Sequence, residues 1–270
     1  MPVERSRFDV NLSILFTELD VLDRPAAAKA AGFDAVEFWW PFPDAVPGDR
    51  EVDRFVRAVD DAGVELTGLN FFAGNMPAGE RGVLSDPDRA GQFTDNVDIA
   101  IGIGERLGCT AFNALYGNRI DGVRPDAQDE VATANLARAG KAADRIGGVV
   151  LVEPVSGTPA YPLKTAADAI AVIDRVHATG ETEALRLLFD LYHLAANGDD
   201  PGAVLDRHAG RIGHVQIADA PGRNEPGTGD LDFGHWFRRL DEVGYRGRIG
   251  LEYKPSGASA DSFGWIGGVQ

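Results

Sequence analysis

The chain has little of several things that would mark other classes of protein. Cys109 is the single cysteine among 270 residues, so no disulfide can form within the chain. No apolar run is long enough to span a bilayer, and the polar start, Met1 to Arg7, does not resemble a signal peptide. No G-x-G-x-x-G motif follows the first apolar segment, which disfavours a dinucleotide-binding fold. We expect a cytoplasmic protein without a membrane partner.

Basic residues are also scarce. Lysine and arginine number 26 against 42 aspartates and glutamates, which gives a formal net charge of -16. Such a field repels phosphate backbones and anionic lipid surfaces, so we expect no nucleic-acid partner. It repels anionic substrates as well, so a site for an acid needs its own local cations or a metal ion.

Short apolar segments alternate with longer alanine-rich segments of helical spacing, and the hydrophobic fraction of 44% is enough for a sizeable core. The predicted strands are Phe8–Leu15, Ala35–Phe38, Glu65–Asn70, Ala111–Leu115, Val149–Glu153, Leu185–Asp190, Gly213–Ile217 and Arg248–Glu252. Helices are predicted near Arg24–Ala31, Glu51–Ala62, Asp88–Leu107, Glu130–Arg145, Ala166–Ala178, Pro201–Ala209 and Gly234–Val243, with Thr165 and Asp200 as N-caps.

Eight strands separated by helices predict a parallel sheet. Eight such strand–helix units in a chain of this length predict a closed (β/α)8 TIM barrel. Val149 to Val152 and Leu187 to Phe189 have no polar side, as expected when helices cover one face and a packed interior covers the other. We expect a single domain over residues 1–270, with the barrel at about 8–254. The tail at 255–270 is rich in glycine and serine, so the eighth helix should be short or absent.

Polar side chains end four neighbouring strands. Glu153, Asp190 and Glu252 close apolar runs, and Gln216 lies near the end of the seventh. Because the active site of such a barrel lies at the C-terminal ends of its strands, we expect these side chains to converge. Three carboxylates at one point repel unless a cation separates them, and an all-oxygen set suits Mg²⁺ or Mn²⁺. The pattern predicts one divalent metal ion.

Several stretches carry a resemblance to a known family. They are VEF at 36–38, NMPAGERG at 75–82, DLYH at 190–193, GHVQIAD at 213–219 and PGRNEPGTG at 221–229. With these, essentially the whole chain resembles the xylose isomerase-like TIM barrels and, within them, the hydroxypyruvate isomerase branch. The related ketose 3-epimerases usually have histidine where this chain has Gln216, which favours the isomerase branch.

The resemblance implies that Glu153, Asp190, Gln216 and Glu252 are the metal ligands, the same four that the strand ends indicate. It also implies the interconversion of hydroxypyruvate and tartronate semialdehyde through an enediolate. Our hypothesis is that Glu153 and Glu252 form the acid/base pair that moves the proton, each also touching the metal ion.

Further residues are candidates for substrate contact. We interpret His193 as a hydrogen-bond partner of a substrate oxygen, and Glu37 as a residue that orients the site or bonds a substrate hydroxyl. Arg223 is the first choice for gripping a substrate carboxylate, because a guanidinium can form two parallel bonds to it. Arg81 is the second choice and Lys254 the third. His214, one layer deeper than Gln216, is interpreted as a hydrogen-bonded interior residue.

Other functions stay open at this stage. A ketose 3-epimerase, a 2-oxo-tetronate or other sugar isomerase, and an inosose-type dehydratase would all use the same metal and base. A related metal-dependent endonuclease would need a basic groove, which the net charge disfavours. A barrel that binds metal or sugar without turnover would not need a carboxylate base. The expected partner is a small hydroxy-oxo acid or sugar, and family members form dimers or tetramers, so we expect a homo-dimer or homo-tetramer.

Overall fold

In the computed structural model, which describes residues 4–268, parallel strands in chain order close into one barrel. The eight strands are β1 (Phe8–Asn11), β2 (Ala35–Phe38), β3 (Glu65–Asn70), β4 (Ala111–Asn113), β5 (Val149–Val152), β6 (Leu185–Asp190), β7 (Ile212–Ile217) and β8 (Ile249–Leu251). The ring closes where β8 pairs with β1, with Asp9 opposite Gly250. The predicted TIM barrel is confirmed.

Helices surround the barrel and cover the outer faces of its strands. They are α1 (Arg24–Ala30), α2 (Asp49–Ala62), α3 (Ala90–Leu107), α4 (Pro125–Asp144), α5 (Ala166–His177), α6 (Leu191–Ala196), α7 (Pro201–His208) and α8 (Phe233–Glu242). After β8, the described part of the chain, up to residue 268, has only a 3₁₀ turn, Ser259–Asp261. This confirms the prediction that the helix following the eighth strand is short or absent. Among the described helices, none combines the length with the hydropathy that a membrane span requires.

Two predicted helix starts are confirmed by their hydrogen bonds. The Thr165 hydroxyl accepts from the backbone N–H of Asp168, whose carboxylate accepts in return from the backbone N–H of Thr165. The Asp200 carboxylate accepts from the N–H of Ala203, and a proline occupies the first helical position. Each cap satisfies an N–H group that the first turn of a helix leaves without a partner.

Some predicted boundaries were wrong. The first strand ends at Asn11 rather than at Leu15, because the Asn11 side chain accepts from the N–H of Ser13 and turns the chain. The fourth strand likewise ends at Asn113, and α4 begins at Pro125, earlier than the predicted Glu130. The short helix α6 was not predicted at all.

The interior layer beneath the strand ends is filled by one large acidic side chain. Glu37 on β2 has Gly68 on β3 and Gly250 on β8 as neighbours. A Cβ atom on Gly250 would lie 2.7 Å from Glu37 Oε1 and 2.9 Å from the Cγ atom of Gln216. Glycine is needed at this position because Glu37 occupies the space that a methyl group would take.

This packing makes a prediction about stability. We expect Gly250→Ala to lower the free energy of unfolding by about 1–3 kcal/mol, the usual effect of adding a methyl group to a filled interior. Urea unfolding followed by circular dichroism measures the change. Gly257→Ala, where no atom lies within 4 Å of the added Cβ, is the matched control. Equal stability of the two variants would contradict the proposed close packing around Glu37.

Candidate active site

Three acidic side chains meet at the C-terminal end of the barrel. Glu153 follows β5, Asp190 ends β6 and Glu252 follows β8, and all three are buried. One carboxylate oxygen from each, together with a ring nitrogen of His193, lies within 4.8 Å of the others. The structure thus brings together the three acids that the strand ends singled out.

The carboxylates in this cluster oppose one another's ionisation. Burial, then the charges of Glu252 and Asp190, raises the pKa of Glu153 well above its usual value. Burial and the charge of Glu252 raise the pKa of Asp190 to about 7. Burial also raises the pKa of Glu252, although the nearby Arg223 lowers it in part. Three buried carboxylates of this kind are stable as anions only beside a cation.

Gln216 completes the cluster with an amide. Its Nε2 donates to Glu37 Oε1 at 2.7 Å and lies 3.3 Å from Glu252 Oε1. Its Oε1 atom is buried and has no hydrogen-bond partner among residues 4–268. A carbonyl oxygen and three carboxylates make up the kind of donor set that hard divalent cations prefer, so these residues can hold a metal ion.

Neutral donors hold the carboxylates in place. Asn113 Nδ2 donates to Glu153 Oε2 at 2.7 Å, and Asn11 Nδ2 donates to Glu252 Oε1 at 3.0 Å. Trp39 Nε1 donates to the same Glu252 oxygen at 2.6 Å. None of these three contacts was predicted. A signal was present for the two asparagines, because each is the last residue of a strand on the ring that also carries the acids.

His193 lies on α6, which starts directly after β6. The Asp190 carboxylate accepts from the backbone N–H of His193 and so begins this helix. Burial, then the charge of Arg223, holds the pKa of His193 well below its usual value, so the ring is neutral. The backbone N–H of Ser156 donates to Nδ1 at 3.0 Å, which leaves the ring proton on Nε2, 3.7 Å from Glu153 Oε1. His193 therefore presents an N–H donor to the cluster.

Arg223 forms an ion pair with Glu252 Oε2 from the loop after β7. Its guanidinium carbon lies 5.3 Å from the centre of the Tyr192 ring, and its backbone has the positive φ of 58°. Burial lowers the pKa of Arg223, but the charges of Glu252 and Asp190 outweigh this and raise it. Its Nε–H is buried and has no acceptor in the described part of the chain.

Asp219 organises the loop that carries Arg223, and its role was not predicted. Its buried carboxylate accepts four backbone N–H groups, those of Ala220, Gly227, Gly229 and Leu231. Its carbonyl oxygen accepts from the N–H of Arg223 at 2.8 Å. The hydrogen bonds to this one carboxylate hold the loop, which is rich in glycine and proline, in a single conformation. They thereby fix the position of the Arg223 guanidinium.

A cavity of about 470 Å³ opens above the cluster, and Glu153, Glu252, His193 and Arg223 are among its lining residues. Arg81 and Lys254, the other two predicted carboxylate-binding residues, also line it. Arg81 donates to the backbone oxygens of Met76 and Glu80, which fixes its Nη1.

Glu37 does not line this cavity. It is buried beneath it and accepts from Asn11 and Gln216, and its Oε2 atom lies 2.9 Å from His214 Nε2. These contacts are those of a residue that orients its neighbours, the first of the two roles predicted for it.

Comparison with known proteins shows the family of the chain. A family model described as xylose isomerase-like TIM barrel matches residues 25–267. A protein of Streptomyces coelicolor named "Putative hydroxypyruvate isomerase" is 54% identical over 266 residues, which cover 96% of this chain and 95% of that protein. A 2-oxo-tetronate isomerase of Cupriavidus necator is 34% identical over 266 residues, with coverage of 96% and 97%.

Similarity in three dimensions extends over nearly the whole chain. A crystal structure from Brucella melitensis, described as an AP endonuclease of family 2, has a TM-score of 0.86 at 32% identity and covers 98% of both chains. The family model and the relatives confirm the resemblance that the motifs indicated. This chain belongs to the xylose isomerase-like TIM-barrel family.

Proposed function

We propose that the protein is an aldose–ketose isomerase that interconverts hydroxypyruvate and tartronate semialdehyde. One observation carries the proposal: the carboxylates of Glu153 and Glu252 and the guanidinium of Arg223 line the same cavity. Isomerisation needs a group that takes and returns a proton, and an acid substrate needs a cation. The name of the Streptomyces coelicolor relative supports the choice of substrate.

The reaction is a proton shift without net oxidation. One glutamate takes a proton from the hydroxymethyl carbon, and a proton returns to the neighbouring carbonyl carbon, while the hydroxyl proton moves to the former carbonyl oxygen. Glu153 and Glu252 are proposed as this acid/base pair. The His193 Nε2–H group is proposed to donate to a substrate oxygen that becomes more negative in the enediolate.

Glu153, Asp190, Gln216 and Glu252 are proposed to hold one divalent ion, Mg²⁺ or Mn²⁺. When bound, such an ion acts as a Lewis acid that stabilises negative charge on substrate oxygens. The side chains would hold it through three carboxylates and one amide oxygen, the set that Mg²⁺ and Mn²⁺ prefer. Trp39 and Leu115 line the cavity and would exclude water from the reacting carbons.

The carboxylate of the substrate is proposed to bind Arg223, with Arg81 and Lys254 nearby. The position of all three cations in the wall of one cavity supports this role. Local cations are needed because the chain as a whole, with its net charge of -16, repels anions at long range.

A second candidate is the isomerisation of a 2-oxo-tetronate, which the name of the Cupriavidus necator relative favours. Such a substrate has the same carboxylate and the same proton shift, with one more carbon, and would use the same residues. Nuclease activity is disfavoured by the acidic charge. A cytoplasmic location and a homo-dimeric or homo-tetrameric state stay predictions from the sequence.

Turnover tests the proposal directly. We expect metal-loaded protein to convert hydroxypyruvate to the aldehyde, and to lose this activity in chelator and regain it with Mg²⁺ or Mn²⁺. The measurement is aldehyde formation across a panel of hydroxypyruvate, a 2-oxo-tetronate and a neutral ketose. Preference for the neutral ketose, or full activity in chelator, would contradict the acid-isomerase proposal.

Kinetics should distinguish proton transfer by the two glutamates from metal binding by the site. We expect Glu153→Gln and Glu252→Gln each to lower kcat by a factor of about 10² to 10⁴, because a glutamine cannot take a proton. Steady-state rates in saturating metal measure this, and metal content shows whether the ion is retained. Glu105→Gln, at an exposed position on α3, is the control. Near-normal kcat with full metal content would remove that residue from proton transfer.

Arg223→Met should separate recognition of an acid from proton transfer. We expect kcat/KM for hydroxypyruvate to fall about 10- to 100-fold, since a hydrogen bond to a charged group contributes about 1.5–3 kcal/mol. The loss should be smaller for a neutral ketose, which has no carboxylate. Arg138→Met, exposed on α4, is the control. An equal loss for both substrates would show that Arg223 serves only to position Glu252.

A further inference from the structure

A second cluster of ionisable side chains lies deeper in the barrel, below the candidate active site. It consists of Asp9 on β1, Glu37 on β2 and His214 on β7, all buried. One carboxylate oxygen from each acid and a ring nitrogen of His214 lie within 4.8 Å of one another. Glu37 supports Gln216 in the candidate active site, and Asp9 has no proposed role there.

Asp9 is the unusual member of this cluster. Its side chain has no solvent exposure, and neither carboxylate oxygen has a hydrogen-bond partner within residues 4–268. The nearby Thr67 hydroxyl donates instead to the carbonyl oxygen of Val36, at 3.0 Å. A fully buried carboxylate without a donor is rare in proteins, because its desolvation is not offset unless it is paired or bound to a metal ion. One of its oxygens lies within 4.8 Å of a Glu37 oxygen and of a His214 ring nitrogen, where a bound cation would offset its charge.

We propose that Asp9, Glu37 and His214 form a second metal site, for a divalent transition-metal ion such as Zn²⁺ or Mn²⁺. Two carboxylates with one imidazole suit such ions better than Mg²⁺, which prefers oxygen ligands alone. Two ligand atoms of one tetrahedral Zn²⁺ ion stand about 3.4 Å apart, so the three atoms, which lie within 4.8 Å of one another, need to approach by no more than about 1.4 Å to reach bonding distance.

The site has its own entry, separate from the active-site cavity. A second cavity, of about 320 Å³, is lined by Asp9 and His214 together with Thr67, Tyr245 and Arg248. It opens at the N-terminal end of the barrel, since Glu65 at the start of β3 and Arg248 just before β8 line it. Three protein ligands leave coordination positions for water, and this cavity gives water and the ion a path to the site.

Glu37 connects the two sites. Its Oε2 atom faces His214 in the lower cluster, while its Oε1 atom accepts from Gln216 and Asn11 in the upper one. An ion bound to Oε2 would fix this carboxylate, and so fix the amide orientation that leaves Gln216 Oε1 free for the upper ion. The lower ion is thus a structural support for the upper site, and it takes no part in proton transfer.

Metal content per chain tests the proposal independently of activity. Full-length protein is stripped with chelator, equilibrated with Zn²⁺ or, separately, Mn²⁺, freed of loose metal by gel filtration and analysed by atomic emission. We expect wild type to hold one more ion per chain than Asp9→Ala. Asp60→Ala, an exposed acid on α2, is the matched control and should equal wild type. Asp190→Asn should lose the upper ion and keep the lower one.

The test compares metal content between variants, so its result does not depend on which reaction the protein catalyses. Equal metal content in wild type and Asp9→Ala, with both folded by circular dichroism, would overturn the second site. If Asp9→Ala does not fold, anomalous diffraction from Zn²⁺-loaded wild-type crystals replaces it. A peak bonded to Asp9, Glu37 and His214 supports the site, and a water molecule at that position refutes it.

Discussion

The repulsion among three buried carboxylates governs this end of the barrel. Glu153, Asp190 and Glu252 come from separate strands and meet away from solvent, where burial raises the pKa of all three and the charge of Glu252 raises those of Glu153 and Asp190 further. An arrangement of this kind persists only if donors and a cation offset the repulsion. Asparagine amides, an indole N–H and the guanidinium of Arg223 offset this repulsion from around the cluster. The buried Gln216 Oε1 atom, which has no hydrogen-bond partner in the described part of the chain, favours a bound metal ion.

The barrel makes this arrangement rigid. Each acid is carried at or next to the end of a strand whose neighbours are hydrogen-bonded on both sides, so its backbone cannot move away from the others. Below them, Glu37 fills the space left by Gly68 and Gly250 and holds Gln216 from underneath. The Asp219 carboxylate accepts backbone N–H groups of the loop after β7, and this loop places Arg223 beside the acidic cluster.

The buried carboxylates, whose repulsion destabilises the folded protein, are also the groups that the proposed chemistry uses. A carboxylate whose pKa is raised is a stronger base when it is ionised, and the cation that stabilises the cluster would also stabilise an enediolate. Arg223 pairs with Glu252 in the absence of substrate. A substrate carboxylate would compete for this guanidinium, so binding an acid would also change the charge around one of the two proposed bases.

Sequence alone determined the barrel and the four residues at its rim, because strand and helix periodicity are local and parallel strands place their C-terminal ends together. It did not reveal that Asn11 supports Glu252, a contact across 241 positions of the chain, or that Trp39 does so across 213. The helix α6 was also hidden, because its start depends on Asp190 accepting the N–H of His193. Closure of the barrel decided these contacts, as it did the meeting of Asp9 with His214, since only the folded ring places side chains from distant strands in one layer.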